Sequence, residues 1–191
     1  MNNMFKRFQL TTLAGCLGLA LTVGAVSTAA TADTADEIRA AQMAKVSLKQ
    51  AIDIASKQAS GTLISAEFDD ADDDAQGGAV YELEFSDGTS EYEIKVDAMT
   101  GQIVDSDTDS LDSGDKDDYD IQRRAKIGVM AVIDAVEKQG DSRVLEIEFK
   151  NDRDYDDHPT YYEVDMLRDN QVIEVKINAD TGREFERKVK N

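Results

Sequence analysis

Carboxylates are the residues of this chain whose type and spacing could do chemistry. Asp69, Asp70, Asp72, Asp73 and Asp74 fall in one short stretch, and Asp152, Asp154, Asp156 and Asp157 in another. A third group holds Asp105, Asp107, Asp109, Asp112, Asp115, Asp117, Asp118 and Asp120. Oxygen-rich segments with alternating Asp suit Ca2+, a hard cation that takes roughly six to eight oxygen ligands. The candidate metal ligands are therefore Asp72, Asp74, Asp105, Asp107 and Asp109. Asp105-x-Asp107-x-Asp109 opens like an EF-hand loop, but its sixth position is Ser110 rather than Gly and its twelfth is Lys116 rather than Glu. The plainer reading is a solvated, mutually repelling loop or linker. That is the expectation, with Ca2+ binding as the alternative.

Other reactive groups are sparse. His158 is the only His, and one His beside Asp156 and Asp157 in a loop makes a poor metal site; an exposed side chain is expected. Carboxylate pairs for glycoside hydrolysis could be picked anywhere in a chain this acidic, so their presence is uninformative. No G-x-S-x-G, H-E-x-x-H or phosphate-binding glycine loop occurs. No catalytic residue, no cofactor and no enzyme activity are expected.

Composition narrows the partners. The 191 residues hold 21 Lys+Arg against 40 Asp+Glu, a net charge of −19. A nucleic-acid partner needs a basic face and is excluded, and anionic lipid is disfavoured for the same reason. Two basic groups stand out, Arg123, Arg124 and Lys126, then Arg183, Arg187, Lys188 and Lys190. They are expected to pair with the chain's own Asp-rich linker; a docking patch for an acidic partner is the alternative.

Residues 1–32 read as an export signal. Lys6 and Arg7 form a positive start, an apolar run extends from about Leu10 to Val26, and Ala30-Thr31-Ala32 fits the A-x-A cleavage pattern. Ser27-Thr28-Ala29 is a second cut site. Leu13-Ala14-Gly15-Cys16 offers a competing reading as a lipobox, disfavoured because the apolar run continues past Cys16. The run is also shorter than the ~20 residues a membrane span needs. The chain from Asp33 has no Cys, hence no disulfide, and is expected in the periplasm or outside the cell.

The elements that must position the carboxylates come in two copies. Shifted by 81 residues, 44–104 lies over 125–185 without a gap, and 16 of those 61 positions are identical. Leu48, Ala51, Ile52 and Ala55 form one helical stripe, and Val129, Val132, Ile133 and Val136 form its counterpart. Ser47 and Gln50 suit a capping box. Gly128 stands where Ser47 would, so the second helix is expected to begin earlier, near Ile121. Three segments of period two follow in each copy, such as Tyr81, Leu83 and Phe85 alternating with Glu82 and Glu84. One charged face implies antiparallel strands covered on one side only. Asp87-Gly88 signals a hairpin, and Asp169-Asn170 is its weaker equivalent. Gly101 and Gly182 fall where a turn requires positive φ. A short fourth strand is expected at Gln102–Asp105 and again at Arg183–Lys190.

The run Y-E-I-K-V-D-A-M-T-G-Q-I-V at 92–104, behind a helix and strands, resembles the PepSY domain. Residues 173–185, I-E-V-K-I-N-A-D-T-G-R-E-F, resemble it too, departing with Asn178 for Asp97 and Glu184 for Ile103. The resemblance implies an α+β protein of two tandem modules, each a helix packed on a three- to four-stranded antiparallel sheet. The expected layout is a leader at 1–32, an N-terminal segment at 33–46, module 1 at 47–106, an acidic linker at 107–120 and module 2 at 121–191. The family also implies a non-enzymatic module of exported bacterial proteins, found in propeptides of thermolysin-like metallopeptidases. On that basis the partner is expected to be a protein, a peptidase that it inhibits or another cell-envelope protein.

Overall fold

The computed structural model describes residues 32–73, 75–111, 113–151 and 155–190. The expected leader, Cys16 included, lies outside them except for Ala32, as do the candidate ligand Asp74 and the acidic residues Asp112, Asp152 and Asp154. The first half of the chain folds as α1 (Ala32–Met43), α2 (Leu48–Ala55), β1 (Thr62–Asp69), β2 (Val80–Ser86), β3 (Ser90–Asp97) and β4 (Ile103–Ser110). The second half repeats that order as α3 (Ser113–Gln122), α4 (Val129–Glu137), β5 (Arg143–Asn151), β6 (Thr160–Arg168), β7 (Gln171–Asn178) and β8 (Glu184–Val189).

Each module is thus two helices followed by four antiparallel strands. The sheets do not stay separate. The strand order is β4-β3-β2-β1-β5-β6-β7-β8, so the two first strands pair antiparallel, Ser65 opposite Glu148 and Ala66 opposite Ile147, in one eight-stranded sheet. This corrects the expected pair of small sheets. Each first strand would otherwise be an open edge, and pairing them removes two edges at once.

The apolar stripes are buried as their spacing requires, Leu48, Ala51, Ile52 and Ala55 on α2, and Val129, Val132, Ile133 and Val136 on α4. The capping box is present: the Gln50 N–H donates to Ser47 Oγ at 3.3 Å, and the Ser47 N–H donates to Gln50 Oε1 at 2.8 Å. The second helix does not begin near Ile121. Its backbone N-cap is Gly128, because the Ile127 N–H donates to Ala179 O at 3.0 Å and pulls the chain off the helical path. Ile121 belongs instead to α3. That helix is acidic and only weakly amphipathic, and its buried side chains Asp118, Tyr119 and Gln122 attach it to the sheet.

Four register shifts adjust the strands, one at each outer pairing, between Lys95 and Val96 and between Lys176 and Ile177, and two on the first strands. Register shifts between Leu63 and Ser65, and between Val144 and Glu146. Leu63 therefore stands opposite Phe85, and Ile64 is the extra residue rather than a member of the Ala66 and Phe68 row. Gln122 Nε2 donates to both Leu63 O and Ile64 O at 3.2 Å, satisfying carbonyls at the bulge.

The seam is fastened further by Arg143 of β5. Its guanidinium donates to Ala41 O at 2.8 Å, Ala44 O at 2.9 Å, Val46 O and the Tyr81 hydroxyl at 2.9 Å, all in module 1. The first two carbonyls lie at the C-terminal end of α1, where backbone acceptors lack helical partners. Lys49 of α2 pairs with Asp134 of α4 across the same seam.

Candidate functional site

Three places could carry function: the repeated signature turns, the acidic segments, and the charged face of the sheet.

The turns come first because they recur. In module 1 the Asp97 carboxylate accepts from the N–H groups of Met99 (2.8 Å), Thr100 (2.7 Å) and Gln76 (2.7 Å). Burial works against its charge, but these donors hold its pKa below the ordinary value. Gly101 follows at φ +72°, and a Cβ there would come within 3.2 Å of Ile54 Cδ1. Ala98 O accepts from the Lys45 and Val46 N–H groups, both at 3.0 Å. In module 2, Asn178 Oδ1 accepts from the N–H groups of Asp180 (3.1 Å) and Thr181 (2.9 Å), and Gly182 sits at φ +68°. The Tyr81 hydroxyl donates to Val46 O and the Tyr162 hydroxyl to Ile127 O, each at 2.8 Å. The signature is thus a latch that ties the entry of α2 or α4 to the end of β3 or β7. It has the geometry of a structural element.

His158 belongs to that latch. Asn178 Oδ1 is occupied as an acceptor, so Nδ2 is the donor, and it donates to His158 Nδ1 at 3.0 Å. The imidazole stacks on Phe185 at 4.1 Å between centroids. It is half-buried rather than exposed, and it fills the place that Gly77 holds in module 1.

The first acidic cluster lies in the β1–β2 loop as expected, but the third does not form the expected linker. Asp105, Asp107 and Asp109 lie on β4, an extended strand, with neighbours on one face spaced about 7 Å apart. An EF-hand needs a tight turn that converges its oxygens. Asp72 is nearly buried and accepts from Lys95 Nζ at 3.2 Å, while Asp105 stands opposite Lys95 across β3 and β4. Asp107 and Asp109 meet Glu93 and Glu91 instead, and these four border one small recess. Among the described residues no group of three or more His, Cys, Asp or Glu side chains could hold a metal ion.

The charged face of the sheet is the feature that sequence reasoning missed. It was expected to be solvated, yet Glu84 is 1% exposed and both Asp165 and Glu174 are 4% exposed. Across strands the register sets Glu67 opposite Glu82, Glu84 opposite Glu93, Glu148 opposite Glu163, and Glu146 opposite Asp165. Burial, reinforced by neighbouring carboxylates, raises the Glu84 pKa to about 8 despite a hydrogen bond from Ser65 Oγ at 2.8 Å. Burial and Glu82 raise that of Glu67 to about 7. Burial and then Asp165 push Glu146 up as well. Glu37 on α1 joins the group, raised to about 6 by burial and by Asp165.

Module 2 pairs several carboxylates of this face with lysines. Lys188 Nζ lies 2.7 Å from Glu174, Lys190 pairs with Asp165, and Lys176 lies 2.9 Å from Glu163. The C-terminal lysines thus pair with buried carboxylates, not with the Asp-rich linker as expected. Among Arg123, Arg124 and Lys126, Arg123 is 3.9 Å from Asp120, and Lys126 is 3.6 Å from Asp180. Buried Ser65 and Glu84 offer no approach for a substrate, so their contact is not a nucleophile and its base. A separate groove of about 420 Å3 opens between α1 (Arg39, Met43), the β1–β2 loop (Asp70, Gly77) and the signature turn (Ala98, Met99).

Among known proteins, residues 45–107 and 126–188 match PepSY, described as the peptidase propeptide and YPEB domain. No curated protein matches the chain. A similar solved structure is that of a protein described as a putative lipoprotein from Clostridium difficile 630. It is 21% identical, the likeness covers 81% of this chain and 99% of that one, and the TM-score is 0.46, too low to carry an argument. The family matches cover the helix, the strands and the latch in each half of the molecule, so the chain belongs to the PepSY family and carries the domain twice.

Proposed function

We propose that this is an exported, non-enzymatic protein that binds a peptidase or another cell-envelope protein and acts by occupying its partner. The tandem PepSY match carries the reading, because the domain is named for peptidase propeptides. The chemistry of the chain supports it. Among the described residues, many of its carboxylates lie on a sheet face or pair with lysines. The apolar leader at 1–32 supports export, and no helix among the described residues is long and apolar enough to cross a membrane. Binding would be steric, through the groove beside the first latch, a loop tip or a sheet edge.

The test is a titration of the chain from residue 33 to 191 against a thermolysin-like metallopeptidase, with a small peptide substrate. Ca2+ is held in fixed excess, since a chain this acidic could mimic inhibition by stripping calcium. Saturable loss of activity without cleavage of the added protein is the expected result. Unchanged activity would remove the peptidase and direct the search to other envelope proteins by pull-down.

Cation binding is the second reading, and it rests on the density of alternating carboxylates in the sequence, Asp107 and Asp109 included. Asp72, Asp74 and Asp105 are carried in it as the candidates of the sequence. It expects Ca2+ at millimolar levels to raise the melting temperature above the effect of matched ionic strength. An equal effect from NaCl would remove it.

A further inference from the structure

The sheet ends in two strands whose corresponding positions have diverged in charge. β4 and β8 are the terminal strands, each with a neighbour on one side only. They occupy equivalent places in the two modules, yet Ser106, Asp107 and Asp109 of β4 correspond to Arg187 and Lys188 of β8 and to Lys190, which follows its last residue. The cross-strand registers agree with that correspondence, since Asp107 stands opposite Glu93 and Lys188 opposite Glu174. An ancestral duplication would have produced two like edges. The present edges are complementary.

Their directions and faces are complementary as well. Every neighbouring pair in the sheet is antiparallel, so across eight strands β4 and β8 run in opposite senses. A second copy displaced along the sheet, without being turned over, brings its β8 antiparallel to β4 of the first. The carboxylate-bearing faces then lie on the same side. Asp107, Asp109, Lys188 and Lys190 all point to that face, because strand side chains alternate. Setting Lys188 opposite Asp109 sets Lys190 opposite Asp107. The same register puts Val189, which is 45% exposed, opposite Thr108. A β-branched pair and two ion pairs are favourable cross-strand partners. Lys188 and Lys190 already hold Glu174 and Asp165, but an ammonium has three donors and can serve a second carboxylate.

We propose that the chain associates with itself head to tail, β8 of one copy extending the sheet of the next at β4. The interface is heterologous, so it forms open chains or rings rather than a closed twofold dimer. Terminal strands usually carry charge to prevent such pairing. Here β4 is acidic, and the end of the other edge, 187–190, is basic, while Glu184 and Glu186 of β8 lie beyond the end of β4 in this register. That discourages pairing of β4 with itself and permits the unlike pairing. The net charge of −19 opposes association over long range, but at physiological salt the screening length is ~8 Å and contact pairs survive it. The inference is independent of the peptidase reading.

The test is analytical ultracentrifugation of 33–191 at physiological ionic strength, with hydrogen exchange at low and high protein concentration. Wild type is expected to rise to at least ~1.5-fold the subunit mass within the micromolar-to-millimolar range of small interfaces. New protection is expected in 107–110 and 187–190. The variant Asp107→Lys with Asp109→Lys is expected to lose both effects. Those lysines would face Glu93 and Glu91, so folding should survive, checked by melting temperature. The variant also lowers the net negative charge, so general repulsion predicts more association where the edge contact predicts less. A single subunit mass at all concentrations would overturn the proposal, and so would association retained in the variant or protection confined to other elements. A monomer whose β4 is protected only by an added peptide of alternating Lys and Val would overturn it too, and assign the edge to a basic strand of another protein.

Discussion

Glu93 and Glu174 occupy equivalent places in β3 and β7, 81 residues apart, and meet opposite company on the outer strand. Glu93 faces Asp107, whereas Glu174 faces Lys188. One strand further in, Glu84 and Asp165 are also equivalent. Glu84 has a serine for a hydrogen-bond partner and Asp165 has Lys190. The backbones, latches and aromatic pairs are nearly the same, with Phe68–Tyr81 centroids at 5.3 Å and Phe149–Tyr162 at 5.4 Å. A duplicated fold has therefore kept its geometry and changed its electrostatics. Both modules bury a carboxylate with a raised pKa, Glu84 in one and Glu146 in the other, but only at the position equivalent to Glu84 does module 2 supply a lysine, Lys190 for Asp165. At that pair of positions module 1 is sensitive to pH and module 2 to loss of a cation.

The largest expected effect breaks the seam that makes the two modules comparable. Arg143→Ala removes the donor to the carbonyls of Ala41 and Ala44, leaves Val46 O with the Tyr81 hydroxyl alone, and is expected to cost about 3–5 kcal/mol in urea denaturation. Gln122→Ala removes a neutral donor from the opposite side of the seam and is expected to cost about 1–2 kcal/mol. Equal losses would mean that the charge of Arg143 adds nothing to the fastening.

Next in size is a pair of substitutions at equivalent positions that should act with opposite sign. The Glu84 pKa is raised in the fold from 4.5 to about 8, so the folded state holds the proton where the unfolded state has lost it. That contribution is fully present below about pH 4.5 and lost as pH rises through about 8, and Glu67 adds a loss up to about 7. Glu84→Gln should therefore stabilise the protein at pH 9, on the order of 2 kcal/mol, and flatten the decline of melting temperature with pH. Asp165→Asn should destabilise at neutral pH by about 2 kcal/mol, because it leaves Lys190 beside a neutral amide. Melting curves of both variants from pH 5 to about pH 9 test the contrast. The same sign for both at pH 9 would erase it.

The smallest effect sharpens the comparison of the latches. Gly101→Ala and Gly182→Ala both force a side chain into positive φ, costing about 1 kcal/mol. A Cβ at Gly101 would also press on Ile54 Cδ1 at 3.2 Å, whereas at Gly182 the nearest atom is Ile127 Cγ1 at 3.6 Å. Gly101→Ala should cost the more, by about 0.5 kcal/mol, in matched denaturation curves.

Much of each module was legible residue by residue. The stripe Leu48, Ala51, Ile52 and Ala55, the box at Ser47 and Gln50, and the positive φ of Gly101 and Gly182 are local properties, set by helical period, capping chemistry and the missing Cβ. The bulge at Ile64 and the start of α4 were misread because each depends on a distant partner, Gln122 for one and Ala179 for the other. The fourth strand was expected to stop at Asp105 with a linker from 107, since Asp disfavours strands, yet pairing with β3 carries Asp107 and Asp109 along β4. The sign reversal between β4 and β8 lay in plain sight just beyond the aligned span, but it gains meaning only once both strands are known to be edges.

The sequence by itself determined that a helix-and-strand unit occurs twice, which faces of it are apolar, and where its turns require Asp, Asn or Gly, since all of these depend on neighbours a few residues apart. The tertiary structure alone decided that β1 pairs with β5, that Arg143 and Gln122 cross the seam, and that the charged face closes over Glu84 and Asp165. Those outcomes depend on contacts between residues far apart in the chain, where the choice among strand edges is made by the free energy of the whole sheet and not by the preference of any one segment.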